Sequence, residues 1–62
     1  MILLTKLDGS IVLISVDAVK YIEKTPDSLI TFLNGDTLFV KESIEEIQKI
    51  VIKYKRETLD KN

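Results

Sequence analysis

Two turn signals in this chain each lie between strand-forming runs. Asp8-Gly9 separates two apolar segments, and Asn34-Gly35 separates two more. Such a dipeptide between apolar runs is typical of a β-hairpin closed by a type I′ turn, in which both central residues have positive φ. The pattern therefore predicts two hairpins with two-residue loops, and it makes Gly9 and Gly35 structural turn residues.

The predicted loop length also fixes which residues face each other. In the first hairpin, Leu4 would face Leu13 and Leu3 would face Ile14; in the second, Leu29 would face Val40. Both faces of the first hairpin are then apolar, and the second also looks covered on both sides. The chain therefore carries more apolar surface than a single copy of this size can bury.

The segment between the hairpins adds two further strands. Residues 19–24 alternate, with Val19, Tyr21 and Glu23 on one predicted face. Residues 25–28 form a type I turn signal in which Pro26 pre-sets φ, so strands three and four should form another hairpin. Ahead of them, residues 15–18 predict one helical turn, capped by Ser15 or Asp17.

A helix is predicted from Ser43 or Ile44 onward. Ser43 and Glu46 have the spacing of a capping box, in which each side chain bonds the other residue's backbone amide. The apolar positions that follow lie on one side of a helical wheel and form a predicted core stripe. These positions are Ile44, Ile47, Ile50, Val51 and Tyr54.

Two apolar residues of this helix point away from the core stripe. With Ile44 at 0°, Ile52 lies at about 80° and Leu59 at about 60°. We expect both residues to lie in or beside a contact surface, either between copies of the chain or with another protein. The predicted architecture of the whole chain is α+β, with about five antiparallel strands in a twisted sheet or partial barrel and one C-terminal helix.

The amino-acid composition limits the chemical groups that the chain can use. The 62 residues are 45% hydrophobic and 31% charged, which suits one small folded domain. The chain contains neither Cys nor His, so it has no thiol, imidazole or disulfide chemistry. A net charge of −1 gives no general attraction to nucleic acid, and no long apolar run or leader pattern predicts membrane insertion or secretion. A cytoplasmic location is the expectation.

The acidic residues have structural explanations. Asp8, Asp27 and Asp36 occupy turn positions that favour aspartate. Glu42, Glu45 and Glu46 lie where the first turn of a helix favours negative charge, without the spacing of a calcium loop. We therefore predict no catalytic residue, no cofactor and no metal site.

Basic residues gather near the end of the helix, where they complement its dipole. As an alternative, these basic residues could form a binding surface for an acidic partner protein. Nucleic-acid binding is the least favoured role for them. The candidate protein-interaction surface comprises Ile52, Leu59, Lys49, Lys53, Lys55 and Arg56.

Two blocks of the sequence carry a family resemblance. The first runs from Tyr21 through Thr31 and includes Thr25-Pro26-Asp27-Ser28; the second is Val40-Lys41-Glu42-Ser43 with the acidic residues that follow. With Leu7-Asp8-Gly9, Asn34-Gly35 and Tyr54-Lys55-Arg56, they closely resemble the FlbD/SwrD family of bacterial flagellar proteins. The resemblance implies one domain over residues 1–57, with residues 58–62 as a short polar tail.

The resemblance also implies a function. It predicts a small, non-enzymatic, cytoplasmic protein needed for full motility, supporting flagellar motor power through contact with a motor or stator component. Self-association is expected as well. The order of strands and helix is also distantly similar to the LytTR DNA-binding domain, so a small DNA-binding or regulatory module is the alternative.

Overall fold

A computed structural model describes the backbone of residues 1–60 and the side chains of residues 1–57. Five strands, one short 3-10 turn and one α-helix follow one another in this part of the chain. They are β1 (Ile2–Thr5), β2 (Ile11–Ile14), the 3-10 turn (Val16–Ala18), β3 (Val19–Lys24), β4 (Ser28–Phe32), β5 (Thr37–Val40) and α1 (Ile44–Asp60). The α+β prediction is confirmed.

The strands form two antiparallel sheets. One contains β1 and β2, and the other has the order β3-β4-β5. A single bridge between Lys6 and Val40 connects the sheets, beside a hydrogen bond of 2.8 Å from the Lys41 amide to the Thr5 carbonyl. The predicted hairpin of strands three and four is present, with Lys24 paired to Ser28 across the loop that contains Pro26.

The predicted type I′ turns are wrong. In the first loop the Gly9 amide donates to the Lys6 carbonyl and the Lys6 amide donates to the Ser10 carbonyl, so the loop has three residues. Gly9 and Gly35 have φ of +93° and +95°, and no other residue in the described part of the chain has positive φ. This geometry matches a type I turn followed by a left-handed glycine, and the second loop repeats it.

The extra loop residue shifts both registers by one. Leu4 pairs with Val12 and Leu3 with Leu13, while Val40 pairs with Ser28 instead of Leu29. Because neighbouring strand residues point to opposite faces, Leu4 and Leu13 lie on opposite faces of the hairpin and not on the same one. The core face of hairpin β1–β2 carries Ile2, Leu4, Val12 and Ile14.

Strand β3 departs from simple alternation. Its pairing with β4 shifts between Val19 and Tyr21, which leaves Lys20 as an extra residue. Val19 and Ile22 consequently both pack against the core, so the prediction that Val19 and Tyr21 share a face is wrong. The 3-10 turn before β3 has Ser15 at its N-cap position, but the Ser15 side chain makes no capping hydrogen bond.

The helix covers the core that the two sheets leave between them. Ser43 and Glu46 form both bonds of a capping box, at 2.8 and 3.0 Å. Ile47 is buried, and Ile50 and Val51 pack against the core. The fully enclosed residues of the core are Leu4, Ile30 and Val40.

The helix is longer than strand β1, on which it packs. Seventeen residues of helix measure about 26 Å, whereas the four residues of β1 span about 13 Å. Tyr54, predicted to complete the core stripe, is 38% exposed.

Candidate functional site

Residues 49–57 of α1 carry a shallow groove of about 330 Å³ on the outer side of the helix. Its lining brings together most of the predicted interaction residues: Lys49, Ile52, Lys53 and Arg56, with Glu57 at the rim. We call the first four residues the helix surface. Ile52 is 49% exposed among these charged neighbours, as the helical wheel predicts.

Two predicted residues are not placed in this groove. Lys55 is exposed on α1 but does not line the groove, because around the helix it lies on the opposite side of Ile52 from Lys53 and Arg56. The Leu59 side chain lies outside the described residues. Among the described residues, the groove thus combines one apolar side chain with three cations on adjacent turns.

The chemistry of the helix surface suits a protein partner. Lys and Arg pack their aliphatic stems along apolar surface while the charged ends stay in water. An acidic surface with an apolar pocket would therefore be complementary to Ile52 and the three cations around it.

A second apolar surface lies on the outside of hairpin β1–β2. Leu3, Ile11 and Leu13 point away from the core and are 61%, 64% and 55% exposed. We call these three residues the hairpin face. The sequence predicts an apolar surplus in the hairpins without locating it; the observed register places much of it here.

The hairpin face and the helix surface are neighbours. Another groove, of about 350 Å³, runs between the start of β1 and the outer turns of α1. Met1 and Leu3 line it on the hairpin side, and Lys53, Tyr54 and Glu57 line it on the helix side. Lys53 and Glu57 also line the groove around Ile52, so the two surfaces share a boundary.

Glu42 holds the two sheets together, a role that the sequence does not reveal. Its carboxylate accepts hydrogen bonds of 2.9 Å from the Thr5 amide and 2.8 Å from the Thr5 hydroxyl. Its carbonyl accepts a 2.6 Å bond from the hydroxyl of Ser28, which is buried. Burial raises the pKa of Glu42, but the hydrogen bonds from Thr5 outweigh it and hold the pKa below its ordinary value.

The turn residues stabilise their own loops. The Asp8 carboxylate accepts hydrogen bonds from the hydroxyl and the amide of Ser10, and these lower the pKa of Asp8. In the second loop the Asp36 amide donates to the Asn34 side chain. In each loop a backbone amide donates to the side chain two residues before it, a local hydrogen bond typical of turns.

The acidic residues in the described part of the chain are not clustered as metal ligands, and the core has one apolar cleft at its edge. The described residues contain no group of three or more Asp or Glu placed to hold a metal ion. A cleft of about 340 Å³ opens toward the core, with a lining that is aliphatic apart from Tyr21. Within the same part of the chain, no helix has the length and apolar character needed to cross a membrane.

Comparison with known proteins places the chain in a family. A search of curated proteins and a search of solved structures each gave no match. The family FlbD, described as flagellar and swarming motility proteins, matches residues 1–59. This match includes all five strands, the contact between Thr5 and Glu42 that joins the two sheets, and most of α1. The chain therefore belongs to the FlbD family of flagellar and swarming motility proteins.

Proposed function

We propose that this protein is a non-enzymatic accessory factor of flagellar motility that acts in the cytoplasm and supports motor power through protein contacts. The observation that carries the proposal is the family match over residues 1–59. Residue chemistry supports a binding role, because the chain lacks the Cys and His side chains that serve as thiol nucleophiles and imidazole bases.

The helix surface is the part of the molecule that we assign to the motor or stator contact. It combines one exposed apolar anchor with three cations. A partner with an acidic surface and an apolar pocket fits this arrangement. We also propose that the protein self-associates, since its exposed apolar side chains exceed what the helix surface accounts for.

A deletion strain tests the cellular role. We expect cells that assemble flagella but swim and swarm poorly, with reduced torque on tethered or bead-loaded filaments. Complementation with the wild-type chain should restore both movement and torque. Normal torque and normal swarming in the deletion strain would contradict the proposal.

A matched pair of substitutions tests the helix surface. Arg56→Glu places a reversed charge beside Ile52, whereas Lys55→Glu makes the same change outside the groove. We expect Arg56→Glu and Ile52→Asp to impair motility. Because both side chains are exposed, the two substitutions should leave the melting temperature nearly unchanged. Lys55→Glu should retain motility. Equal phenotypes for Arg56→Glu and Lys55→Glu would argue against a specific contact at the groove.

The DNA-binding alternative makes a separate demand. It requires retardation of promoter fragments, with affinity that falls as salt rises, through phosphate contacts by residues such as Lys49 or Arg56. We expect no retardation at physiological salt. Salt-dependent retardation that Arg56→Glu abolishes would support the alternative and contradict a purely protein-binding role.

A further inference from the structure

The outer edge of β2 has backbone groups available for pairing. Lys6 and Ser10 form a hydrogen-bonded pair at the end of the hairpin. Hydrogen-bonded pairs alternate along an antiparallel ladder, so Leu4–Val12 is such a pair and Thr5–Ile11 is not. The bonds of Thr5 agree, since its amide and carbonyl bond Glu42 and Lys41, away from β2.

The same alternation applies to the opposite strand. The amide and carbonyl groups of Ile11 and Leu13 point away from β1, toward the outer edge of β2. In the described part of the chain, β2 pairs with β1 alone. Two donors and two acceptors therefore lie along this edge, next to side chains that are themselves more than half exposed.

The edges of the two sheets differ in how they are protected. Natural edge strands discourage pairing with charged side chains, proline or a bulge. The edge strand β3 has a bulge and carries Lys20, Glu23 and Lys24. Strand β2 reads Ile11-Val12-Leu13-Ile14 between two serines, with none of these devices.

We propose that two copies of this chain pair through β2, antiparallel and across a two-fold axis at Val12. Ile11 of one copy then forms a hydrogen-bonded pair with Leu13 of the partner subunit, and the reverse pair follows by symmetry. All four outward backbone groups of each copy are satisfied. The product is a four-stranded sheet with both hairpin faces on one side.

A second copy fits this edge for reasons of charge as well as geometry. Residues 10–15 contain no charged side chain, so antiparallel pairing with an identical strand places no like charges opposite each other. The register also places Ile11 beside Leu13 of the partner subunit on the outer face, as an apolar cross-strand pair.

The size of the contact sets its strength. A standard interface buries about 800 Å² per partner, which would be a large fraction of this chain's 4655 Å². A four-residue strand is only about 14 Å long. We therefore expect a dimer that dissociates on dilution and not a permanent one. The inference deepens the self-association in the proposed function by naming its surface and register.

Amide hydrogen exchange on the wild-type protein is the direct test. Raising the protein concentration should slow exchange of the Ile11 and Leu13 amides at least tenfold, in step with dimer mass measured by sedimentation. The Val12 amide, which already bonds within the hairpin, should be protected at every concentration. A monomer throughout the accessible range, or a dimer whose Ile11 and Leu13 amides stay unprotected, would overturn the proposal.

Substitutions separate this edge from the helix surface. Leu13→Lys should raise the dimer dissociation constant at least tenfold, while Leu33→Lys, at a loop residue of similar exposure, should leave it unchanged. Loss of the dimer in Ile52→Lys but not in Leu13→Lys would overturn β2 pairing and retain self-association through the helix. Motor torque in the deletion strain is a separate readout, so failure of the edge contact and failure of the motility role are distinguishable.

Discussion

The two glycine-containing hairpins have the same loop but different surroundings. Each has a three-residue loop that ends in a glycine with positive φ, and each turns one face to the core. In the β4–β5 hairpin, the outer face has Leu29 paired with Phe39, and Phe39 is 39% exposed. In hairpin β1–β2, the outer face has Leu3 paired with Leu13, and these side chains are 61% and 55% exposed. Identical turn chemistry therefore supports two partly apolar outer faces, of which that of β1–β2 is the more exposed.

Their positions in the sheets differ as well. Strand β4 lies between β3 and β5, so pairing occupies both of its edges. Strand β2 has β1 on one side and an open edge on the other. The comparison teaches that the conformation of the loop sets the register, whereas the neighbours of a strand decide whether it serves the core or a contact surface.

The largest expected effect comes from shortening a buried side chain on the central strand, β4. Ile30 is fully buried on β4, so Ile30→Ala should lower the free energy of unfolding by about 2–5 kcal/mol through lost burial and a cavity. Ile11→Ala removes the same atoms from the exposed face of β2 and should cost about 0.5 kcal/mol or less in the monomer. Urea denaturation at low protein concentration measures both. Equal losses would contradict the distinction between the two hairpins.

A smaller loss of stability is expected when the contact between Glu42 and Thr5, which joins the two sheets, is removed. The pKa of Glu42 is lower in the folded protein than its ordinary value of 4.5, so its contribution to stability is present above about pH 4.5 and is lost as pH falls through the folded pKa. Glu42→Gln should lower stability at neutral pH by about 1–3 kcal/mol, because it removes charge-assisted hydrogen bonds to Thr5.

The pH dependence provides the control for this prediction. Glu42→Gln should reduce the acid sensitivity of unfolding, and Glu45→Gln, an exposed change in the first turn of α1, should retain more of it. Chemical denaturation between about pH 3 and 7, a range that contains the titration of Asp and Glu carboxylates, compares the free energies of unfolding of the two variants and the wild type. A Glu42→Gln curve parallel to the wild-type curve would show that Glu42 does not titrate as described.

The smallest effect tests what the two hairpins share. Gly9→Val and Gly35→Val should each cost about 1 kcal/mol or somewhat more, because both sites have positive φ. A Cβ atom added at either site would have no non-neighbouring heavy atom within 4 Å, so we expect the cost to lie in the backbone and to be similar in both hairpins. Asparagine, which tolerates this conformation better, should cost less. Thermal unfolding measures the series, and markedly unequal losses would refute the equivalence of the two loops.

Local sequence signals predict the elements well and their pairing less well. The turn dipeptides locate both hairpins, and Ser43 with Glu46 locates the start of α1. The register differs by one residue because a two-residue loop and a three-residue loop can contain the same Asp-Gly or Asn-Gly pair. The bulge at Lys20 depends on how β3 meets the core, which no local pattern encodes.

The candidate surfaces show the same division. Helical geometry alone identifies Ile52 as an outward residue, and the structure adds which cations accompany it. The hairpin face could be located only after the register was known, since a shift of one residue exchanges the faces of a strand. The helix dipole accounts for a negative charge at Glu42 but does not predict its hydrogen bonds to Thr5. These bonds span 37 residues and have no counterpart in the local sequence.

The separation between Thr5 and Glu42 has a consequence for the order of folding. Each hairpin closes a short loop, and such local contacts form quickly at little entropic cost. The Thr5–Glu42 contact must close a loop of 37 residues, so we expect it to form after the hairpins. Until this loop closes, Glu42 and Ile47 do not cover the inner face of hairpin β1–β2. A partly folded chain that has formed this hairpin alone therefore presents both of its apolar sides.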